Sequence, residues 1–426
     1  MRVPRGICRW TVGVGLLGAF GALGCSRGQT ESVASSESDL TVFPLNETPT
    51  LTTVFKAPLV VEGLAADRAG NLYASGRQGS PCPVWRVPST GGPAVVVGNL
   101  PPPCSPNGVA FDATGDLYVA DGSTETNGTT GDRIYKLTPN AETPPTATLF
   151  CSGVPGANGI AFDRKGNLWA ADGTTGQGRI WSITPGGTVT EEFRVPPMTN
   201  LVNAVRSTPD GGVPTLTGGV GRDVRALPPG SLIVTDSTRV AGNTAGTVPI
   251  VANGLMFDPF GNLFIADTAR GAIWKAVFDR DTGTLRSPVG CDTTFAPDTL
   301  CLKNIFVQHP LLEGLDGFVF DIAGNMWGAA NERNAIILVT ALGSVQEIIR
   351  NPPDPTTQLR NGGPLEFPTS PFLVGRKLCI TQSDTTRRDN FPNTAGEVGP
   401  PGPNLAKISC VDQAVFFTGL PLPIRD

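Results

Sequence analysis

Histidine is almost missing from this chain: His309 is the only one among 426 residues. One imidazole excludes a His-His dyad or a His-rich metal motif within one subunit, since both need several imidazoles at one point. Beyond residues 24–28, which read G-C-S-R-G, there is no G-x-S-x-G elbow, and there is no phosphate loop and no C-x-x-C pair. Serine-hydrolase chemistry and phosphate-loop nucleotide binding therefore have no support. Charge is scarce as well, at 16% of residues with a net charge of -5, and Lys and Arg nowhere form a run. Nothing is present to neutralise a phosphate backbone, which argues against nucleic acid as a partner. Long helical patterns are also few, whereas there are 53 Gly and 40 Pro. That balance predicts an all-β protein with many turns.

What is present is a repeat. Ala157 to Asp172 reads A-N-G-I-A-F-D-R-K-G-N-L-W-A-A-D, and relatives of it start at Glu62, Asn107, Asn253 and Asp316. Each copy is a short apolar strand, an Asp-x-x-Gly-Asn/Asp turn and a second strand, the pattern of a β-hairpin. Recurrence at about fifty residues points to a β-propeller of four-stranded blades. Third strands follow as V-W-R-V, R-I-Y-K-L, R-I-W-S-I, A-I-W-K-A-V and A-I-I-L-V. The last unit runs from Ser370 through K-L-C-I-T and A-K-I-S-C-V, with A-V-F-F near the C-terminus as its expected outer strand. Residues 198–250, with a further match ending at Asp236, are spaced as if a whole unit lay there. Seven blades are expected, with six plus an insertion as the other reading.

The first 25 residues stand apart. Arg2, Arg5 and Arg9 precede an apolar run from Trp10 to Leu23 that is short for a membrane span, and small residues and Cys25 follow. This is an export signal. A-L-G-Cys25-Ser26 resembles the bacterial lipoprotein cleavage box, which implies lipidation at Cys25 and, with Ser26 next, an outer-membrane destination. Ordinary cleavage nearby would instead give a periplasmic or secreted protein. Residues 26–48 read as a flexible tether, and 49–426 as a single propeller domain.

Seven cysteines remain beyond Cys8 and Cys25, as suits an oxidising compartment. In a propeller the b–c and d–a loops share one face, which brings Cys82 to Cys104. Cys291 and Cys301 share one c–d loop, and Cys379 and Cys410 fall on neighbouring strands of the last blade. Cys151 is left over.

The residues that open each hairpin, Glu62, Asn107, Asn158, Asn253 and Asp316, should converge at the channel mouth. Carboxylate and amide oxygens are what a hard cation such as calcium takes. The other reading of each is local: Asn or Asp before Gly also suits a tight turn. Asp121, Asp172, Asp236 and Asp267, which end the second strands, read as Asx turns tying that strand to the third. Asp67, Asp112, Asp163, Asp258 and Asp321 open the hairpin turns and are structural. His309 reads as a surface-loop residue, the alternative being a lone general base at the mouth.

N-G-I-A-F-D-R-K-G-N-L-W-A-A-D resembles the repeats of NHL propellers and of the SMP-30/gluconolactonase superfamily, over roughly residues 50–420. The lactonase branch implies a channel metal, usually calcium, held by Glu, Asn, Asn and Asp. Those roles fall on Glu62, two of Asn107, Asn158 and Asn253, and Asp316. The Glu here lies in E-G-L-A-A-D rather than before the Pro-x-Trp of those enzymes. Two functions follow, the first being the favoured reading and the second the alternative. One is an envelope binding module, lipid-anchored or secreted, that takes a small molecule, glycan or envelope protein at the mouth or on loops 124–132, 384–403 and 198–250. The other is a calcium-dependent lactone hydrolase. Any membrane contact is through the lipid anchor alone.

Overall fold

A computed structural model describes residues 50–77, 79–123, 132–174, 176–197, 250–293, 295–312, 314–331, 334–350, 364–383 and 406–411. The leader and tether with Cys25, the match at Asp236 and A-V-F-F lie outside these residues, as do most of the three candidate binding loops.

The described residues form six four-stranded sheets. The first strand, β1 (Leu51–Lys56), stands apart from the blade that follows it. Blade I holds β2 (Ala65–Ala66), β3 (Asn71–Ser75), β4 (Cys82–Pro88) and β5 (Val95–Leu100). Blade II holds β6 (Pro106–Phe111), β7 (Leu117–Asp121), β8 (Arg133–Leu137) and β9 (Thr148–Ser152). Blade III holds β10 (Ala157–Phe162), β11 (Leu168–Asp172), β12 (Arg179–Ile183) and β13 (Val189–Arg194). Blade IV holds β14 (Leu255–Phe257), β15 (Leu263–Asp267), β16 (Ala272–Ala276) and β17 (Ile305–Gln308). Blade V holds β18 (Leu315–Phe320), β19 (Met326–Ala330), β20 (Ala335–Val339) and β21 (Val345–Arg350). Blade VI holds β22 (Pro368–Val374), β23 (Lys377–Gln382) and β24 (Lys407–Val411), and its outer strand is β1.

That last pairing departs from the expected A-V-F-F strand. Leu51 pairs with Val411 and Lys56 with Lys407, so the two ends of the propeller share one sheet. Ring closure of this kind leaves no unpaired junction between first and last blades.

The hairpin motif is explained by its hydrogen bonds. Asp163 Oδ1 accepts from Asn167 N at 2.9 Å, and Oδ2 accepts from Asn167 Nδ2 at 2.8 Å and Trp169 Nε1 at 3.0 Å. Asp67 and Asp321 bind the matching Asn and aromatic in the same way. Asp258 binds Asn262, and Asp112 binds Asp116 N and the Tyr118 hydroxyl. The Gly of each turn takes a φ of 81–97°, a region that costs an L-residue dearly. These five Asp are structural, as expected.

Six apolar clusters hold the ring, each shared by two adjacent blades. Trp169 and Ile180 of blade III, for example, pack with Phe257 and Trp274 of blade IV. Blades III and IV are thus direct neighbours, and six interfaces close six blades. Of the two expected counts the ring takes six, with 198–249 inserted between β13 and β14. The length of that insertion, close to one blade period, is what made seven credible.

Three disulfides join Cys82 to Cys104, Cys291 to Cys301 and Cys379 to Cys410, as the blade geometry predicted. Cys151 is free and 6% exposed, packed against Ile134 and Trp181 of two blades. Burial pushes its thiol up to about 12, so almost no thiolate exists at neutral pH. In a chain beginning at residue 26, Ellman's reagent should find no reactive thiol in the native protein and one after denaturation. A native thiol titrating within minutes would contradict this packing.

Candidate functional site

The site is built where the innermost strands start. Strands β6, β10, β18 and β22 each carry a β-bulge there, spanning Asn107–Gly108, Asn158–Gly159, Asp316–Gly317 and Thr369–Ser370. A bulge lifts a residue out of the ladder and re-aims its side chain, a device common beside functional sites. The glycines serve close approach rather than a tight turn. A Cβ on Gly159 would stand 2.5 Å from Asn253 O, and one on Gly254 2.5 Å from Asp316 O. Each blade's Gly therefore lies on the backbone of the next, and the residues before the glycines form one ring: Glu62, Asn107, Asn158, Asn253, Asp316. The sixth place is held by Thr369, whose hydroxyl donates to Glu62 O at 2.8 Å.

All five predicted residues line one cavity of about 140 Å³, and each is buried. A second ring stands beside the first, at the residue just beyond each second strand or one place further. Its members are Arg77, Gly122, Gly173, Thr268, Asn331 and Ser383. Arg77, Asn331 and the two glycines line the cavity with the first ring. Thr268 and Ser383 stand behind Asn253 and Glu62.

Hydrogen bonds fix which amide atom faces which way. Leu315 O can only accept, so the Thr268 hydroxyl donates to it, at 2.6 Å. Thr268 Oγ1 then accepts from Asn253 Nδ2 at 3.1 Å, and Asn253 Oδ1 accepts from Asn158 Nδ2 at 2.7 Å. Asn158 Oδ1 is left with no protein donor among the described residues. Asn331 repeats the pattern: its Nδ2 donates to Asp316 Oδ2 at 3.0 Å, and its buried Oδ1 has no partner among the described residues. An orphaned acceptor at 2% exposure is costly unless something binds it. Glu62 Oε2 takes Arg77 Nη1 at 3.2 Å and stands 3.2 Å from Ser383 Oγ, whose hydroxyl donates to Val61 O at 2.6 Å. Arg77 Nη2 also donates to Asn107 Oδ1, and Nε donates to Pro106 O at 2.8 Å. Asn107 Nδ2 donates to Ala157 O at 2.9 Å.

Phe367 adds an apolar wall to the cavity beside Ile250. Its φ is 54°, where blades III and V carry Gly156 and Gly314 at 79° and 77°. A bulky residue in that region costs about 1–3 kcal/mol. Asn334 Oδ1 holds it by accepting from Phe367 N at 2.8 Å.

The other expected candidates fall elsewhere. Asp121, Asp172 and Asp267 do not line the cavity; each pairs with an arginine, Arg133 at 2.8 Å, Arg179 at 2.8 Å and Arg270 at 2.9 Å. The Asx turns are present too, since Ser123 N donates to Asp121 and Arg270 N to Asp267. His309 follows β17 and accepts from Leu311 N through Nδ1 at 3.1 Å, away from the cavity lining. Among the described residues no three of His, Cys, Asp and Glu cluster. The donors at the mouth are two carboxylates and amides, an oxygen set that fits calcium chemistry and not zinc. The unpartnered Asn331 Oδ1 supports that fit.

Residues 199–365 match a family model described as the SMP-30/Gluconolactonase/LRE-like region. No curated protein matches the chain. Among solved structures, the calcium-binding protein regucalcin from Agrobacterium tumefaciens is similar at 16% identity and a TM-score of 0.52, over 88% of this chain and 97% of that one. A luciferin-regenerating enzyme is similar at 13% identity and a TM-score of 0.52, over 87% and 98%. At these identities the likeness is one of fold.

Proposed function

We propose, for a β-propeller of which residues 199–365 match the SMP-30/Gluconolactonase/LRE-like family model, that the mouth cavity binds one divalent cation, calcium by its donors, and that the protein hydrolyses lactones there. The observation that carries this reading is the set of oxygens in one cavity with no donor among the described residues, Glu62 Oε1, Asn158 Oδ1 and Asn331 Oδ1; the Asp316 carboxylate, which accepts from Asn331 Nδ2, lines the same cavity. Glu62, Asn158, Asn253 and Asp316 are the residues that would hold the ion, which when bound polarises a carbonyl and acidifies water.

The chain's own part follows from the hydrogen bonds. The run from Leu315 O through Thr268 and Asn253 to Asn158 locks two amides and, among the described residues, leaves Asn158 Oδ1 unused. Preorganised oxygens of this kind need no rearrangement when charge develops. Among the described residues, Glu62 and Asp316 are the only carboxylates lining the cavity, so proton transfer falls to one of them. Phe367 and Ile250 present an apolar wall that suits the carbon skeleton of a small cyclic ester. Three disulfides support the export reading, since they form in oxidising compartments.

The test is a calorimetric calcium titration of a chain beginning at residue 26, beside one carrying Glu62→Gln and Asp316→Asn, followed by acid release from aliphatic and sugar lactones. One-site binding is expected in the first. In the double variant it should weaken at least ~100-fold, since both charged ligands are gone. No heat and no calcium-dependent change in melting temperature would remove the hydrolase reading and leave an envelope binding module.

A further inference from the structure

Arg77 is the one charged member of the second ring, where the other blades carry Gly122, Gly173, Thr268, Asn331 and Ser383. We infer that Arg77 is a built-in competitor for the cation: it occupies Glu62 and Asn107 as a surrogate ion, and a divalent cation binds by displacing it. This rests on the metal reading above and concerns how strongly the site binds.

Arg77 spends its side-chain donors on Glu62 Oε2 at 3.2 Å, on Asn107 Oδ1 and on Pro106 O. Two of these three belong to the oxygen ring. Its own backbone is pinned, with Arg77 N donating to Val60 O at 2.8 Å, so the guanidinium is held at the mouth rather than swept across it. The side chain is only 17% exposed, which weakens solvent screening of its charge. A guanidinium does not deprotonate in proteins, so this positive charge is permanent.

The charge balance then sets the consequence. Among the described residues two carboxylates and one guanidinium line the cavity, so Arg77 offsets part of the negative charge that an incoming ion would meet. A divalent cation at Glu62 meets a fixed like charge a few ångströms away, a repulsion that remains strong at partly buried sites. Binding therefore includes the work of moving Arg77 off Glu62. A monovalent cation gains too little from one carboxylate to do this, so Arg77 also selects for divalent ions. The expected affinity is that of extracellular calcium modules, about 10⁻⁴–10⁻³ M, rather than of tight buffers.

Calcium alone is the probe. Calorimetry on the wild-type chain, Arg77→Gln and Arg77→Gly should show at least ~10-fold tighter binding in both variants, with the gain lost when Glu62→Gln is added, as coupled residues require. The glycine variant copies blades II and III, so a fold is retained if glutamine proves disruptive. Without calcium both variants should melt below wild type, because Glu62 loses its counter-ion, and calcium should raise their melting temperatures more than it raises wild type's. Calcium binding to wild type and variants alike, or more weakly to the variants, would overturn it while the metal reading stands. No binding in any of the three would overturn the metal reading itself.

Discussion

Gly159→Ala should cost about 3 kcal/mol of stability, the upper end of the usual range for overpacking, and should abolish calcium binding together with it. The added Cβ would stand 2.5 Å from Asn253 O, 2.9 Å from Gly254 Cα and 3.1 Å from Leu255 N. All three neighbours are backbone atoms of blade IV, so no rotamer change relieves the clash. Blades III and IV must separate at the point where Asn158 Nδ2 donates to Asn253 Oδ1. The amide relay then breaks, and Asn158 Oδ1 is no longer held outward. Gly166→Ala is the control. Gly166 has a φ of 84° and, among the described residues, nothing within 4 Å of an added methyl, so alanine there meets only backbone strain of about 1–2 kcal/mol. Calcium binding should survive at Gly166. Chemical denaturation and calorimetry on the two variants give the comparison, and equal effects would mean that close approach is not why glycine follows the ring residue.

The blade repeat was legible because each copy carries a complete local argument. Asp, Gly and Asn at fixed offsets close the turn, and the aromatic two residues on reaches back to the same Asp. The cysteine pairs were legible for a similar reason: once strands are assigned to blades, their ends can be placed on a face. Four of the five ring residues could be found from the Asn-Gly and Asp-Gly steps, and Glu62 from the Glu-Gly step at the same place in its copy, although the glycine was read through turn chemistry and is instead there for the neighbouring backbone. Thr369 escaped because Thr-Ser replaces Asn-Gly in blade VI. Arg77 and Asn331 escaped because the second ring has no common residue type, only a common place after the second strand, and that place shows only when the blades are superimposed. The closing strand Leu51–Lys56 carries strand-forming Thr, Val and Phe but no local sign of its partner. Its partner β24 lies at the far end of the chain, and nothing near residue 51 announces it. Phe367 was invisible for a different reason, since a left-handed φ on a bulky residue contradicts the propensity that sequence reading relies on.

Asp267→Ala should cost about 3–5 kcal/mol, the usual effect of breaking a buried ion pair from one side. Asp267 and Arg270 are both 0% exposed, and Asp267 Oδ2 accepts from Arg270 Nη1 at 2.9 Å and from Trp274 Nε1 at 3.0 Å. Alanine leaves the guanidinium to Pro197 O, which accepts from Nη2 at 3.1 Å, and takes from the indole N–H of a fully buried Trp its carboxylate acceptor. Removing both charges should behave differently. Burial pushes the Asp267 carboxyl above its ordinary range, and Arg270 only partly offsets this. A carboxyl raised in the folded state stabilises most below its unfolded pKa and loses that contribution as pH rises through the folded one. Replacing a buried ion pair by apolar residues of similar volume is often neutral or stabilising, so Asp267→Leu with Arg270→Met should recover most of the loss. What the pair supplies is position: Thr268, the next residue, is the hydroxyl that turns Asn253 and through it Asn158. The double variant should accordingly regain its melting temperature while binding calcium more weakly than wild type, by about 10-fold, the lower end for loss of a supporting contact. A double variant that recovers stability and binds calcium as tightly as wild type would show that Thr268 needs no such anchor, and that the pair serves folding specificity alone.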